Sequence, residues 1–204
     1  MPSEALPVPF PPAFDGDDAS ELAWLLRAER AGLPITPMAV VPVTVETAFY
    51  QLNNLPEQLL RLFAGVVSDD PDEDDLEERA PEAIALVLGH TLLDEVIESL
   101  YEALDGLPER LVVRRAGSDG VATWRGRETL LTVKRTWSRA WHVDAIAARL
   151  RSGQGLAPQP QPLLVHDAAV ARANETLGLG PDGAAVEAWH DGAGRLARLA
   201  LRPH

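Results

Sequence analysis

The chain of 204 residues has no cysteine, which removes disulfides, thiolate metal sites and cysteine nucleophiles from its repertoire. It is almost without lysine: Lys134 is the one lysine among 18 basic residues. An anion held here by charged side chains is therefore held by arginine, whose planar fork suits a bidentate grip. No run of 18 apolar residues occurs, and no basic segment leads into an apolar one near the start, where MPSEALPVPFPPAF carries five prolines. Neither a membrane span nor a secretory leader is expected, and a cytoplasmic setting fits the missing cysteines. The hydrolase signatures GxSxG and HExxH are absent, and the five histidines lie scattered, so nucleophilic hydrolysis has no support.

What is present is a 46% hydrophobic composition, enough for a folded core, and a net charge of -13 spread unevenly. Residues 1–110 carry 23 acids against 5 bases and residues 111–204 carry 8 acids against 13 bases, so the first part stands at -18 and the second at +5. An acidic surface repels nucleic acid and anionic membrane, and neither is expected as a partner. The basic second part leaves room for a small polyanion such as a nucleotide.

Periodicity predicts most of the elements. Residues 1–17 read as an irregular proline-rich arm. Asp18, with Glu21 three residues on, predicts a capped helix carrying Leu22, Leu25 and Leu26 and ending at Gly32. Met38 to Val43 reads as a strand entering a helix capped near Thr44, and Asn54 opens a further helix with Leu59, Leu60 and Phe63 on one side. Ser68 to Glu78 holds eight acids in eleven residues but lacks the glycine and ligand alternation of a calcium loop, so it reads as a solvated linker or helix start. Pro81 to Leu88 reads as a short helix, and Thr91 to Leu104 as an amphipathic one. On that helix the row His90, Asp94, Glu98, Glu102 is taken as its wet face rather than a metal site. Leu111 to Val113 reads as a strand, Gly117 to Gly120 as a turn, and Val121 to Trp124 as pairing with Glu128 to Val133 across Arg125 and Gly126. Trp137 and Trp141 fall on one helical face as core residues. Leu163 to Val165 reads as a strand, Asp167 to Leu177 as a helix, and the last segment as a hairpin whose Trp189 is a candidate interface residue.

The order GLP, apolar strand, TVETAF, amphipathic helix, LVVR, ETLLTV and VKRTWSRAWHVDAIAARLRSG resembles the N-terminal nucleotide-binding domain of the phosphoenolpyruvate synthase and pyruvate phosphate dikinase family. The match spans roughly residues 16–166, and Trp137, Trp141, Ala145, Ile146 and Arg149 are in register with the family's final helix. The resemblance implies a mixed α/β fold, with an ATP-grasp-like nucleotide-binding lobe at residues 18–153 and a remnant second lobe at 154–204 ending in a β-hairpin. It also implies ATP as cofactor, with Mg²⁺ present only alongside the nucleotide, and phosphotransfer from ATP to a histidine on another domain.

The departures from that family weaken the chemistry. The family's lysine-bearing GGKNASL appears as DGDDASEL, with Asp17 at the lysine position, and VRSSA appears as Val113, Arg114, Arg115, Ala116, Gly117 without the hydroxyls. After His166 no glutamate and glutamine pair suits magnesium. The candidate nucleotide-binding residues are Arg114, Arg115, Arg127, Glu128 and His166. Each has a plainer reading: Arg114 as an ion pair to the acidic first part, Arg115 and Arg127 likewise, Glu128 opposite an arginine, and His166 as polar surface. The expected function is a divergent, catalytically degenerate relative with at most a weak ATP site. Two alternatives stand beside it: a non-catalytic module that binds a protein partner or a second copy, and a small ATP-dependent phosphotransferase completed by another chain.

Overall fold

The computed structural model describes residues 6–10, 20–66 and 72–201. The architecture is mixed helix and sheet, and among the described residues no helix is long and apolar enough to cross a membrane. In chain order the elements are β1 (Val8–Pro9), α1 (Glu21–Arg30), β2 (Met38–Val41), α2 (Val43–Leu52), α3 (Leu55–Leu62), α4 (Glu73–Gly89), α5 (Asp94–Leu104), β3 (Arg110–Arg115) and β4 (Val121–Trp124). They continue with α6 (Arg127–Ser138), α7 (Val143–Arg151), β5 (Leu163–Asp167), β6 (Val170–Leu177), β7 (Val186–Asp191) and β8 (Leu196–Leu201).

The main sheet runs β1-β2-β5-β3-β4, and every neighbouring pair is antiparallel. Side chains alternate across a strand, so β2 and β5 divide their residues between two cores. Ala39, Val41, Leu111, Val113, Leu163 and Val165 join the larger cluster with α2 to α7. Met38, Val40 and Leu164 point the other way, into a second cluster with Leu22, Leu25 and Leu26 of α1 and with Val186, Ala188, Leu196 and Leu199 of the smaller sheet. That smaller sheet runs β6-β7-β8. β5, which sequence grouped with the remnant lobe, is the central strand of the main sheet.

Helix boundaries follow local chemistry. The Ser20 hydroxyl accepts from the Ala23 amide at 3.2 Å and caps α1, while the expected cap at Asp18 and the reversal at Asp17 lie outside the described residues. α2 starts at Val43 with no side-chain cap, so Thr44 sits inside the helix rather than capping it. Asp72 caps α4 by accepting from the Asp74 amide at 3.0 Å, and the acids of the first turn face the positive end of the helix dipole. The described part of the acidic segment is thus a helix start. α4 also runs straight through Pro81, so the short helix expected there is one helix of 17 residues, held by the buried stripe Leu76, Ala80, Ala83, Val87. Lys134 closes its far end, donating to the Leu88 carbonyl at 2.6 Å and to the His90 carbonyl.

Two further segments take a different secondary structure from the one their sequence predicts. Val121–Trp124 pairs with β3 around the turn at 116–120, with Val113 opposite Val121, and Glu128 to Val133 belongs to α6. The β-branched run there reads as a strand, but Leu130, Val133 and Trp137 return to one buried face at helical spacing. The Thr132 and Thr136 hydroxyls donate to carbonyls four residues back, both at 2.8 Å. The second correction is β6, expected as a helix: Val170 to Leu177 pairs antiparallel with β7. Its alanine- and glutamate-containing sequence favours helix, and cross-strand pairing overrides that weak preference.

The terminal hairpin has the form expected, and Asp191 ties it to the rest. Its Oδ1 accepts from the Ala193 and Arg195 amides at 2.9 and 3.0 Å, and its Oδ2 from the Thr36 hydroxyl at 2.6 Å and Arg195 Nε at 2.8 Å. Burial works to raise this carboxyl, but those donors outweigh it and hold it down at about 2. Replacing Asp191 by alanine strands the buried Thr36 hydroxyl and is expected to lower unfolding free energy by about 2 kcal/mol in urea titration. Asp191→Asn, which keeps one acceptor oxygen for the two turn amides, is expected to lose less.

Candidate functional site

Glu21 opens α1, and its place on the helix decides its environment. Positions 21, 25 and 28 fall on one helical face, and Glu21, Leu25 and Ala28 are all buried. That face looks at β3, where Arg114 lies on the same side of the sheet as Leu164 and His166. The Arg114 guanidinium is 2% exposed, so it does not open into a cleft. It grips Glu21 with both nitrogens, Nη1 to Oε2 at 2.5 Å and Nη2 to Oε1 at 2.8 Å. Arg114 also donates from Nη2 to the Ala197 carbonyl at 3.2 Å and from Nε to His166 Nε2 at 2.9 Å.

The Glu21 carboxylate receives more than arginine. The Gly117 amide donates to Oε2 at 2.7 Å and the Leu199 amide to Oε1 at 2.8 Å. Gly117 has a positive φ of 78°, a conformation a glycine adopts without strain, and the turn so formed delivers its N–H. α1, β3, the β3–β4 turn and β8 therefore meet at one carboxylate ringed by charged and backbone donors, with His166 of β5 behind Arg114. In form this is an anion cradle, and the anion is the protein's own Glu21.

His166 is neutral for a geometric reason. Arginine Nε carries a hydrogen, so His166 Nε2 must accept, leaving its proton on Nδ1 to bond the Asp167 carbonyl at 2.7 Å. Burial, reinforced by the Arg114 charge, lowers its pKa to about 4. His166 is thus an interior residue rather than polar surface.

The remaining candidates are dispersed. Arg115 falls on the opposite face of β3, where its two terminal nitrogens reach Glu46 of α2 at 3.1 and 2.9 Å. Burial raises the Glu46 pKa against the pull of Arg115. Arg127 and Glu128 form the exposed first turn of α6, and none of the bonds around Glu21 involves them. Arg149 donates to the Ala140 carbonyl at 2.6 Å and twice to the Leu156 carbonyl, at 3.2 and 3.1 Å, so it fastens the segment after α7. Trp137 and Trp141 are buried core. Trp189 is half-buried in the small sheet, with the Arg198 guanidinium 4.6 Å from its ring centroid.

The structure thus brings together Arg114 and His166 and leaves Arg115, Arg127 and Glu128 apart. Sequence reasoning missed Glu21 and Glu46 as partners. The signal was an acid on the apolar face of an amphipathic helix, at 21 with Leu25 and at 46 with Phe49. Asp94, Glu98 and Glu102 are exposed along α5, and among the described residues no group of three His, Asp or Glu side chains is placed to hold a metal ion. Comparison with protein-family models and with curated proteins finds no match to this chain.

Proposed function

We propose that the chain is a non-catalytic binding module on an ATP-grasp-like scaffold, similar to the ATP-binding lobe of the phosphoenolpyruvate synthase and pyruvate phosphate dikinase family, with its anion-binding charges turned inward. Fold persists where a site is lost because function lives in the site. The observation that carries the reading is the Glu21 carboxylate seated among Arg114, the Gly117 amide and the Leu199 amide. Phosphoryl transfer is catalysed by positioning and by free positive groups around the phosphates. A strand-end arginine already neutralised by a buried carboxylate supplies neither, and a phosphate brought to it meets Glu21 as a like charge.

Melting the protein with millimolar Mg²⁺ and ATP tests this. A site with a dissociation constant tenfold below the ligand concentration adds about 1.4 kcal/mol, or about 3 °C or more for a chain of this size. The module is expected to show no shift and no transfer of the γ-phosphate to itself. A saturable shift overturns the reading in favour of a retained nucleotide site, and labelled protein overturns it in favour of an ATP-dependent phosphotransferase.

A further inference from the structure

On the far side of the main sheet from Glu21, α2 and α3 stand apart from the segment at 156–160 and leave a half-enclosed cavity of about 240 Å³. Its walls are apolar, with Pro56, Leu59 and Leu60 on one side and Leu156, Pro158 and Pro160 on the other. A dry cavity of about 150 Å³ already accommodates benzene, so this one has room for a ring with a short substituent. Four polar side chains line it, Glu46, Thr47, Tyr50 and Gln51. The Thr47 hydroxyl donates to the Val43 carbonyl at 3.0 Å, and Gln51 is exposed at the rim. Glu46 is committed to Arg115 by two hydrogen bonds, which leaves it little capacity for a guest.

Tyr50 is different. Its oxygen accepts from Trp141 Nε1 at 2.8 Å, and among the described residues its own O–H has no acceptor. A phenol on the wall of an apolar cavity, already receiving one hydrogen bond, has one donor left to give. Donors in such a place are commonly matched by a ligand atom, because an unmet one carries a desolvation penalty. Burial pushes the Tyr50 phenol further up from its ordinary value, so the proton is present throughout the physiological range.

We propose that this cavity binds a neutral, ring-sized apolar molecule bearing one carbonyl or ether oxygen, which accepts from Tyr50 Oη–H while its ring lies among Leu59, Leu60 and Pro158. The site stands on the opposite face of β3 from the Glu21 centre and does not depend on that centre being filled. Acetophenone and toluene are suitable probes, one with the acceptor and one without, titrated into the intact ¹⁵N-labelled chain with the Trp141 indole N–H as reporter. Both are expected to saturate, acetophenone the more tightly. Tyr50→Phe is expected to weaken acetophenone about fivefold, the size of one hydrogen bond, and to leave toluene unchanged. Leu60→Trp, at an exposed position on the cavity wall, is expected to exclude both. The proposal is overturned if neither probe shifts the indole resonance, if Tyr50→Phe treats the two probes alike, or if Leu60→Trp still binds them.

Discussion

Glu21→Ala is expected to lower the free energy of unfolding by about 3–5 kcal/mol, the range for removing one partner of a buried ion pair. Arg114 would keep the Ala197 carbonyl and His166 but lose its counter-charge, and the Gly117 and Leu199 amides would lose this acceptor; the uncompensated buried charge dominates that loss. The melting temperature should fall by about 6–20 °C. Because Glu21 joins α1 to both sheets, the loss should appear as one cooperative shift and not as fraying of a helix end. Replacing both partners, Glu21→Leu with Arg114→Met, is expected to cost less than Glu21→Ala alone, since no buried charge remains. A Glu21→Ala protein within about 1 kcal/mol of the original would show that the pair is not buried as described.

The second large effect is acid destabilisation through His166. Burial, with the Arg114 charge behind it, lowers the His166 pKa from 6.5 to about 4. As pH falls below about 6.5 the unfolded chain takes up a proton at this position and the folded chain does not. Stability from this residue is therefore full above 6.5, declines between about 6.5 and 4, and loses no more once the folded imidazole also protonates. The span corresponds to about 3 kcal/mol. Protonation of Nε2 would set two donors against each other, since that nitrogen accepts from Arg114 Nε. Glu46 acts in the opposite sense: burial raises its pKa, so its folded form binds a proton earlier than the unfolded one. The comparison that isolates His166 is urea unfolding of the native chain and of His166→Gln from pH 7 to pH 4. Glutamine still offers an oxygen to Arg114. The stability difference between the two should change by about 3 kcal/mol across that range, and parallel curves would remove His166 as the cause.

Elements with a clean period were legible from sequence. Leu92 just before α5, Val96, Leu100 and Leu104 along it, the short apolar strands β2 and β5, and the paired tryptophans are buried as their spacing selects, whereas Leu93 beside that stripe and Val43 after β2 are exposed. Where local preference and packing disagreed, sequence misled. Thr129, Thr132 and Val133 look like strand residues, yet α6 is a helix because its apolar members meet the core at helical spacing and the Thr132 and Thr136 hydroxyls bond their own backbone. Val170 to Leu177 looks helical and is a strand because β7 lies beside it. The candidate site was half legible. Arg114 stood out at the end of a strand, and a salt bridge to the acidic first part was one of its two readings. The identity of the partner was not readable, because Glu21 is 93 residues away and its local sequence equally supports a capping box. Glu46 and Tyr50 were hidden for the same reason: a cavity between α2, α3 and the segment after α7 is a property of packing that no one of those stretches carries.

Glu21 serves as the anion of its own cradle, and small-anion rescue tests that most directly. Glu21→Ala should leave Arg114 and the two amides facing a hole that phosphate or acetate fits. Tens of millimolar of either anion are expected to raise the melting temperature of Glu21→Ala by several degrees more than that of the native chain, the native shift measuring the general effect of salt. Equal shifts in the two proteins, or a variant indifferent to both anions, would contradict the claim.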